Sequence, residues 1–426
     1  MKNKNKGEGE KKLMKPTEEL LRKYAKLAIH TGVNIQKEQA LIINAPIEGA
    51  DFVHYVVEEA YSAGAENVQV QWNDEVLTKL SYENEPMRVL EDFPDWRVQK
   101  MTSHVKNGGA ILQIYAPNPE LLKGIDPKKP AAANKAAGQA LSVYRDYMMN
   151  DRIQWSIVAI PTNGWVKKVY PDESVEKGTE KLWEQIFRIT RVNHEDPIEA
   201  WNQHNETLRR AREVLNEKQY KKLIYKAPGT DLTIELPKNH IWHGGSAVAE
   251  TGAVFNPNIP TEEVFTMPYR EGVNGTVTST KPLNYNGHLI ENFSLTFKDG
   301  KVVDYKAEAG QDVLEQLLDT DEGSKYLGEV ALVPHSSPIS QSGHVFFNTL
   351  FDENASCHIA LGEAYPTNLE GGAAMSQEEL KQHGVNTSIT HEDFMIGSAE
   401  LDIDAETQDG NIEPIFRSGE WAIDLG

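Results

Sequence analysis

The chain has 426 residues, and its 64 acidic and 43 basic side chains give a formal net charge of −21. This charge argues against nucleic acid or an anionic membrane as a natural partner, because both bind basic surfaces. The single cysteine, Cys357, excludes an internal disulfide framework and a multi-cysteine zinc site. No segment approaches the ~20 consecutive apolar residues of a membrane span, and the charged N-terminus lacks the apolar core of a signal peptide. We therefore expect a soluble cytoplasmic protein.

The N-terminal half alternates short apolar strands with longer helices. Residues 1–15 are charged and predict a solvated tail, and an amphipathic helix begins at Thr17. Strands are predicted at 40–45, 67–72, 110–116 and 153–161, with helices at 51–63, 175–192 and 197–220. This alternation predicts an open α/β sheet with mostly parallel strands. No glycine-rich phosphate-binding motif follows any of the strands, so nucleotide binding has no support.

The pattern changes after about residue 223, where strand-like segments come in hairpins. They are predicted at 223–226, 232–236, 275–282 and 293–305, and Asp299-Gly300 splits the last one as a hairpin turn does. Helices are few there. We predict a charged tail at 1–15, an N-terminal α/β domain at 16–220, and a C-terminal α+β catalytic domain rich in antiparallel strands at 221–426.

Groups that can bind a metal ion are concentrated in the C-terminal half. Residues 347–365, FNTLFDENASCHIALGEAY, carry Glu353, His358 and Tyr365 in an otherwise small or apolar run. A carboxylate that is buried without a partner costs several kcal/mol, so such groups are usually paired or bound to metal. The segment is therefore a candidate wall of a metal site.

Three other short segments contribute acids and a second histidine. NIPTEEVFT contains Glu262 and Glu263, GEVALV places Glu329 at the start of an apolar strand, and THEDFMIG contains His391 and Asp393. His391 and Asp393 are two residues apart, so on an extended segment they point to the same side. Mixed carboxylate and imidazole ligands suit zinc, cobalt or manganese better than calcium or magnesium. Several carboxylates with only two histidines indicate two ions, since a carboxylate can bridge them.

Ordinary structural roles also fit each of these residues taken alone. His358 could be a hydrogen-bonded core histidine, and His391 with Asp393 could orient a loop. Glu262 and Glu263 could form a solvated helix start, stabilised by the helix dipole. No nucleophile-elbow motif accompanies the serines and histidines. Spacing alone leaves a metal site open beside these alternatives.

Five motifs, in this order, resemble the thermophilic-type aminopeptidases known as aminopeptidase T, AmpS and PepS. They are NIPTEEVFT, the NGTV…TKPL run, GEVALV, FNTLFDENASCHIALGEAY and HEDFMIGS. The resemblance implies a cytosolic, homodimeric metallo-aminopeptidase that uses two divalent metal ions to remove the first residue of peptides with a free N-terminus. The implied metal ligands are Glu263, Glu329 (the bridge), Glu353, His358, His391 and Asp393.

The resemblance also identifies Tyr365 as the active-site tyrosine, and we expect it to donate a hydrogen bond to the tetrahedral oxyanion. Glu262 is our expected proton shuttle. Two other functions remain to be separated from this one: a different dinuclear metal hydrolase acting on amides or phosphate esters, and a metal-stabilised binding module without catalysis.

Overall fold

The computed structural model describes residues 16–425, so the predicted tail at 1–15 lies outside the described residues. The N-terminal half is built on a four-stranded sheet in the order β2-β1-β3-β4 in which every pair is parallel. Its strands are β1 (Ala40–Pro46), β2 (Asn67–Asn73), β3 (Ala110–Ile114) and β4 (Trp155–Val158). The predicted open parallel sheet is confirmed, although β4 is shorter than the apolar run that predicted it.

Helices cover the sheet and connect its strands. They are α1 (Glu18–Leu27, continued by a π-helical turn at Ala28–Gly32), α2 (Ala50–Ala63), α3 (Glu75–Asn84), α4 (Met87–Leu90), α5 (Asp95–Lys106), α6 (Lys128–Ala140), α7 (Ser142–Met149), α8 (Asn163–Val169), α9 (Val175–Ile189) and α10 (Pro197–Lys218). The Thr17 side chain accepts a hydrogen bond from the Leu20 backbone and so caps α1, as the sequence indicates. Asp196 caps α10 in the same way, directly before a proline at the first helical position.

The C-terminal half contains an eight-stranded antiparallel sheet in the order β14-β13-β10-β6-β5-β18-β19-β20. Its strands are β5 (Lys222–Ala227), β6 (Thr230–Glu235), β10 (Val273–Thr278), β13 (Ser294–Lys298), β14 (Lys301–Lys306), β18 (Asp402–Glu406), β19 (Ile412–Arg417) and β20 (Glu420–Trp421). Asp299 and Gly300 connect β13 to β14 with φ angles of 48° and 81°, the left-handed backbone that a tight hairpin turn requires.

A second antiparallel sheet, in the order β17-β16-β15-β9, carries the polar segments singled out above. Its strands are β9 (Val264–Thr266), β15 (Leu327–Leu332), β16 (His358–Gly362) and β17 (His391–Met395). Alternate residues of these strands, including Val330, Ile359 and Phe394, belong to the apolar core shared with the eight-stranded sheet. The opposite face is the one that carries the polar groups, and we call it the inner face.

Smaller elements complete this half. Two pairs of short strands are antiparallel: β7 (Ala247–Val248) with β8 (Val254–Phe255), and β11 (Leu283–Tyr285) with β12 (His288–Ile290). The helices of this half are α11 (Gln311–Leu318), α12 (Thr349–Asp352) and α13 (Gln377–Gln382).

The two halves meet beside the inner face. Ile157 of β4 donates a backbone hydrogen bond to Pro257 at 2.7 Å and accepts one from Ile259 at 2.9 Å, so the chain at 257–259 extends the parallel sheet. The N-terminal core also includes Phe346 and Phe351 from the C-terminal half. The boundary near residue 220 stays a prediction. Among residues 16–425, no helix combines the length and apolar character needed to cross a membrane.

A candidate metal centre

Strand register brings four predicted ligands to the inner face. Glu329 of β15 lies opposite Ala360 of β16, which lies opposite Asp393 of β17. His358 is two residues before Ala360, and His391 is two residues before Asp393. Because side chains two residues apart on a strand share a face, all four ligands point to the same side.

The remaining two predicted ligands enter from the edges of the sheet. Glu263 directly precedes β9 and lies two residues before Phe265, whose register partner is Ala331 of β15, so it joins the same face. Glu353 comes from a single 3₁₀ turn after α12. Its carboxylate accepts a hydrogen bond from the Asn354 side chain at 3.2 Å, and this bond fixes its orientation.

The six side chains line one cleft, together with Tyr365; we call it the carboxylate–histidine cleft. Within it, ligand atoms lie close enough to share an ion in two overlapping groups. The first triad is Glu263, Glu329 and His358, and the second triad is Glu329, His391 and Asp393. Glu329 belongs to both triads, which is the arrangement that a carboxylate bridging two ions needs.

The distances within the triads are short. The Nε2 atom of His358 lies 2.9 Å from Oε2 of Glu263 and 3.5 Å from Oε1 of Glu329. The Nε2 atom of His391 lies 3.5 Å from Oε2 of Glu329 and 3.5 Å from Oδ2 of Asp393. Each histidine therefore approaches a different oxygen of the shared glutamate.

Backbone carbonyls fix the orientation of both histidines. The Nδ1 atom of His358 lies 3.2 Å from the Ser356 carbonyl oxygen, and Nδ1 of His391 lies 2.7 Å from that of Glu363. A carbonyl oxygen only accepts, so Nδ1 is the protonated nitrogen that donates in each ring. Nε2 is then directed at the carboxylates, as is typical of metal-binding histidines.

The electrostatics of the cleft also favour cations. Burial raises the pKa of Glu329 to about 7, and the charge of Asp393 adds to this effect. Burial lowers the pKa of His391, but the Asp393 and Glu329 carboxylates outweigh it and raise the pKa to about 10. Burial likewise raises the pKa of Glu353 well above its ordinary value. The protein therefore holds a concentration of negative charge that protons or metal ions must compensate.

A buried oxygen without a hydrogen-bond partner favours metal ions over protons as the compensating charge. Oδ1 of Asp393 is buried and has no hydrogen-bond partner among the described residues. Buried carboxylate oxygens without partners are expensive unless a ligand completes them. Carboxylates and imidazole Nε2 atoms are also the donors that zinc-like divalent ions prefer, so the residues present fit a metal site.

Tyr365 is placed beside the second triad. Its ring lies edge-on to the His391 ring with centroids 5.2 Å apart, and 5.7 Å from that of Phe265. Burial raises the pKa of Tyr365 well above its ordinary value, and the charges of Glu329 and Asp393 act in the same direction. The hydroxyl is thus kept protonated and able to donate.

Glu262 is not brought to the cleft. Its Oε1 atom lies 2.8 Å from the Arg191 guanidinium, and its Oε2 atom lies 3.5 Å from Nε2 of His204. Its backbone N–H donates to the Asn354 side chain at 2.8 Å. Consecutive residues of an extended chain point in opposite directions, so Glu262 faces away while Glu263 faces the triads. The proton-shuttle role expected of Glu262 has no support from this placement.

Residues of the N-terminal half that the sequence did not single out also line the cleft. Asp151 and Trp155 form part of its wall, and Tyr115 lines an adjoining arm that shares Trp155, Glu353 and Tyr365 with it. Tyr115 directly follows β3, at the carboxyl edge where α/β sheets bind ligands. This position could have identified Tyr115 as a candidate site residue from the sequence. Asp151 precedes β4 at the other end of its strand, and no local pattern identifies it.

Two overlapping triads that share a buried glutamate are the arrangement expected of a metal-dependent hydrolase. Comparison with known proteins identifies it further. Residues 17–421 match the family model of the thermophilic metalloproteases, M29. The chain is 56% identical over 408 residues to Aminopeptidase 2 of Geobacillus stearothermophilus, covering 96% of this chain and 99% of that one. It is 52% identical to Aminopeptidase AmpS of Bacillus subtilis, covering 95% and 98%.

A solved structure agrees with these sequence matches. The wild-type AmpT of Thermus thermophilus superposes with a TM-score of 0.87 at 41% identity, covering 95% of this chain and 99% of that one. The chain belongs to the M29 thermophilic metalloprotease family. It is accordingly a metallo-aminopeptidase, a hydrolase of the exopeptidase type that requires a divalent metal ion.

Proposed function

We propose that the protein hydrolyses the N-terminal bond of peptides with two divalent ions held in the carboxylate–histidine cleft. The observation that carries this proposal is the membership of Glu329 in both triads. Glu263 and His358 would hold one ion, His391 and Asp393 the other, and Glu329 would bridge them. The charge balance supports two ions, because the carboxylates of Glu263, Glu329, Glu353 and Asp393 together neutralise two divalent cations when both histidines are neutral.

The family's chemistry requires a water molecule to attack the peptide carbonyl. Divalent ions held in the cleft supply the Lewis acidity that ionises water near neutral pH and polarises the carbonyl. Tyr365 donates its hydroxyl hydrogen bond to the oxygen that becomes negative as the carbonyl carbon turns tetrahedral. Removal of such a donor typically lowers the rate ~10²–10³-fold.

We assign to Glu353 the role of accepting the proton of the attacking water. It lines the cleft but belongs to neither triad, so its carboxylate is the least committed to metal. Its hydrogen bond from Asn354 holds it in place while leaving one oxygen available. Proton transfer by a positioned carboxylate contributes typically ~10²–10⁴-fold to a rate. The family resemblance instead implies that Glu353 is a metal ligand, and its position in the cleft also fits that role.

The ions themselves are zinc, cobalt or manganese in this proposal. Carboxylate and imidazole ligands suit all three, and selection among them depends on coordination geometry and on availability in the cell. We place the enzyme in the cytoplasm, where a protein with a single buried cysteine is stable without disulfides.

We further propose that the enzyme is a homodimer. Helix α3 has no buried residue, and it exposes Val76, Leu77 and Leu80 by 67%, 64% and 47%. Trp72, in the strand that precedes this helix, is also exposed, and clustered exposed apolar side chains are typical of protein interfaces. The mass of the protein in solution by light scattering, compared with that of Leu77→Lys, tests this assignment.

The decisive experiment combines metal analysis with two substrates. Protein purified without added metal is reloaded with zinc, cobalt or manganese, and its metal content is compared with its activity on leucine p-nitroanilide and on the N-acetylated equivalent. We expect two ions per chain, activity only on the free amine, and loss of activity with a chelator. Cleavage of the acetylated substrate would indicate a different dinuclear hydrolase. A loaded protein that cleaves neither substrate and unfolds on chelation would indicate a binding module.

A further inference from the structure

Asp151 lines the carboxylate–histidine cleft from the N-terminal wall, and the proposed mechanism gives it no task. It lies between α7 and β4, on a different part of the fold from the sheet that carries both triads. It lines the same cleft as the ligands, so a substrate bound at the metal centre would lie close to it.

The local structure holds Asp151 firmly in this position. Its φ is 49°, the left-handed region that aspartate and asparagine tolerate better than most residues. The Trp155 indole donates a hydrogen bond to its Oδ1 atom at 3.2 Å. The neighbouring Arg152 turns away and pairs with Asp146 at 2.9 Å and with Glu250 at 2.8 Å. The nearest basic side chain in sequence is therefore engaged elsewhere.

No lysine, arginine or histidine of the described chain forms an ion pair with the Asp151 carboxylate. Burial raises its pKa to about 7, and only the Trp155 hydrogen bond opposes this. Asp151 is half-buried, and a carboxylate removed from water without a cationic partner is unfavourable. A cation that enters the cleft with the substrate would remove this penalty.

The substrate of an aminopeptidase brings such a cation to a defined place. The α-ammonium nitrogen and the scissile carbonyl carbon are bonded to the same Cα atom, about 2.5 Å apart. A carboxylate that binds the ammonium must therefore lie near the donor that binds the carbonyl oxygen. Asp151 meets this requirement, because it lines the cleft with Tyr365 and its charge acts on the Tyr365 hydroxyl.

We propose that the Asp151 carboxylate binds the α-ammonium group of the substrate's N-terminal residue and so distinguishes a free N-terminus from a blocked one. This inference rests on the proposed function, since it takes the scissile carbonyl to lie at the two triads. It makes the N-terminal domain part of the specificity site.

Glu392 is a further nearby carboxylate that belongs to neither triad and, unlike Glu353, has no role in the proposed mechanism. It borders the adjoining arm, and burial raises its pKa to about 8. It alternates with His391 and Asp393 along β17, so its side chain points away from the inner face on which those two residues lie. Asp151 instead lines the cleft that contains both triads.

The test compares two hydroxamate inhibitors of the metal-loaded enzyme. Leucine hydroxamate carries the α-ammonium group, and 4-methylpentanohydroxamate is the same molecule without it. Asp151→Asn keeps the acceptor for Trp155 and the left-handed backbone but removes the charge. We expect leucine hydroxamate to bind ~10–100-fold more weakly to this variant, the range for a lost hydrogen bond to a charged group, and the des-amino analogue to bind unchanged.

Controls make each outcome decisive. Asp146→Asn, which removes a neighbouring exposed acid outside this cleft, should change neither inhibitor constant. Equal weakening of both inhibitors by Asp151→Asn, or of neither, would overturn the inference while leaving the metal centre intact. So would a loss of the difference between the two inhibitors in Glu392→Gln that Asp151→Asn does not show. Failure of both hydroxamates against the unaltered enzyme would overturn the proposed function as well.

Discussion

Replacing Tyr365 by phenylalanine removes one hydroxyl group from the carboxylate–histidine cleft and leaves the ring in place. The ring keeps its contacts with His391 and Phe265, so the free energy of unfolding should change by no more than about 1 kcal/mol. No ligand of either triad is touched, so the metal content should stay the same. Only the hydrogen bond to the developing oxyanion is lost.

The expected effect on the rate is therefore large and specific. Loss of one such donor corresponds to ~2.7–4 kcal/mol of transition-state stabilisation, or ~10²–10³ in kcat. The assay is steady-state hydrolysis of leucine p-nitroanilide, with metal content and thermal midpoint measured on the same preparation. KM should change little, because the ground-state carbonyl oxygen does not carry the charge that Tyr365 binds.

A matched control is available in the C-terminal core. Tyr225 is fully buried and its hydroxyl has no hydrogen-bond partner within residues 16–425, so Tyr225→Phe removes the same atom away from the cleft. Its kcat should equal that of the unaltered enzyme. Full activity in Tyr365→Phe would refute the oxyanion role. A fall in rate that follows a loss of bound metal would refute it too, because Tyr365 would then act through the ligands.

Three further outcomes follow from the geometry. Arg191→Met leaves Glu262 buried without its cation, so chemical denaturation should show a free energy of unfolding that is ~3–5 kcal/mol lower. The double variant with Glu262→Gln should recover part of this loss. An unchanged denaturation midpoint in Arg191→Met would contradict the buried pair. Glu353→Gln should keep two ions per chain while kcat falls, and loss of an ion in metal analysis would instead make Glu353 a ligand. Asp151 has a folded-state pKa of about 7 against an ordinary 3.8, so its ionisation disfavours the folded state, and stability decreases as the pH rises from about 4 to about 7. Asp151→Asn cannot ionise at this position and so does not lose stability in this way. The difference in the free energy of unfolding, variant minus unaltered protein, should therefore increase from about pH 4 to about pH 7 and level off above it. A difference that does not change with pH would contradict the shifted pKa.

The sequence by itself determined the fold class and most of the candidate ligands. Alternation of apolar strands with helices predicted the parallel sheet, because a strand buried on both faces reads as a continuous apolar run. The two-residue spacing of His391 and Asp393 placed both on one side of a strand, and the register confirms that they share a face. The remaining ligands were assigned by resemblance to a family whose motifs occur in the same order.

Only the tertiary structure decided how these residues combine. Whether Glu262 or Glu263 reaches the triads depends on which of these adjacent side chains points to the inner face, and a shift of one residue in the β9–β15 register would reverse it. The membership of Glu329 in both triads depends on the register between strands that are distant in sequence. Asp151 could not be found at all, because its environment comes from the packing of one half of the chain against the other. Local patterns reflect local periodicity, whereas a site built from long-range contacts exists only once the chain has folded.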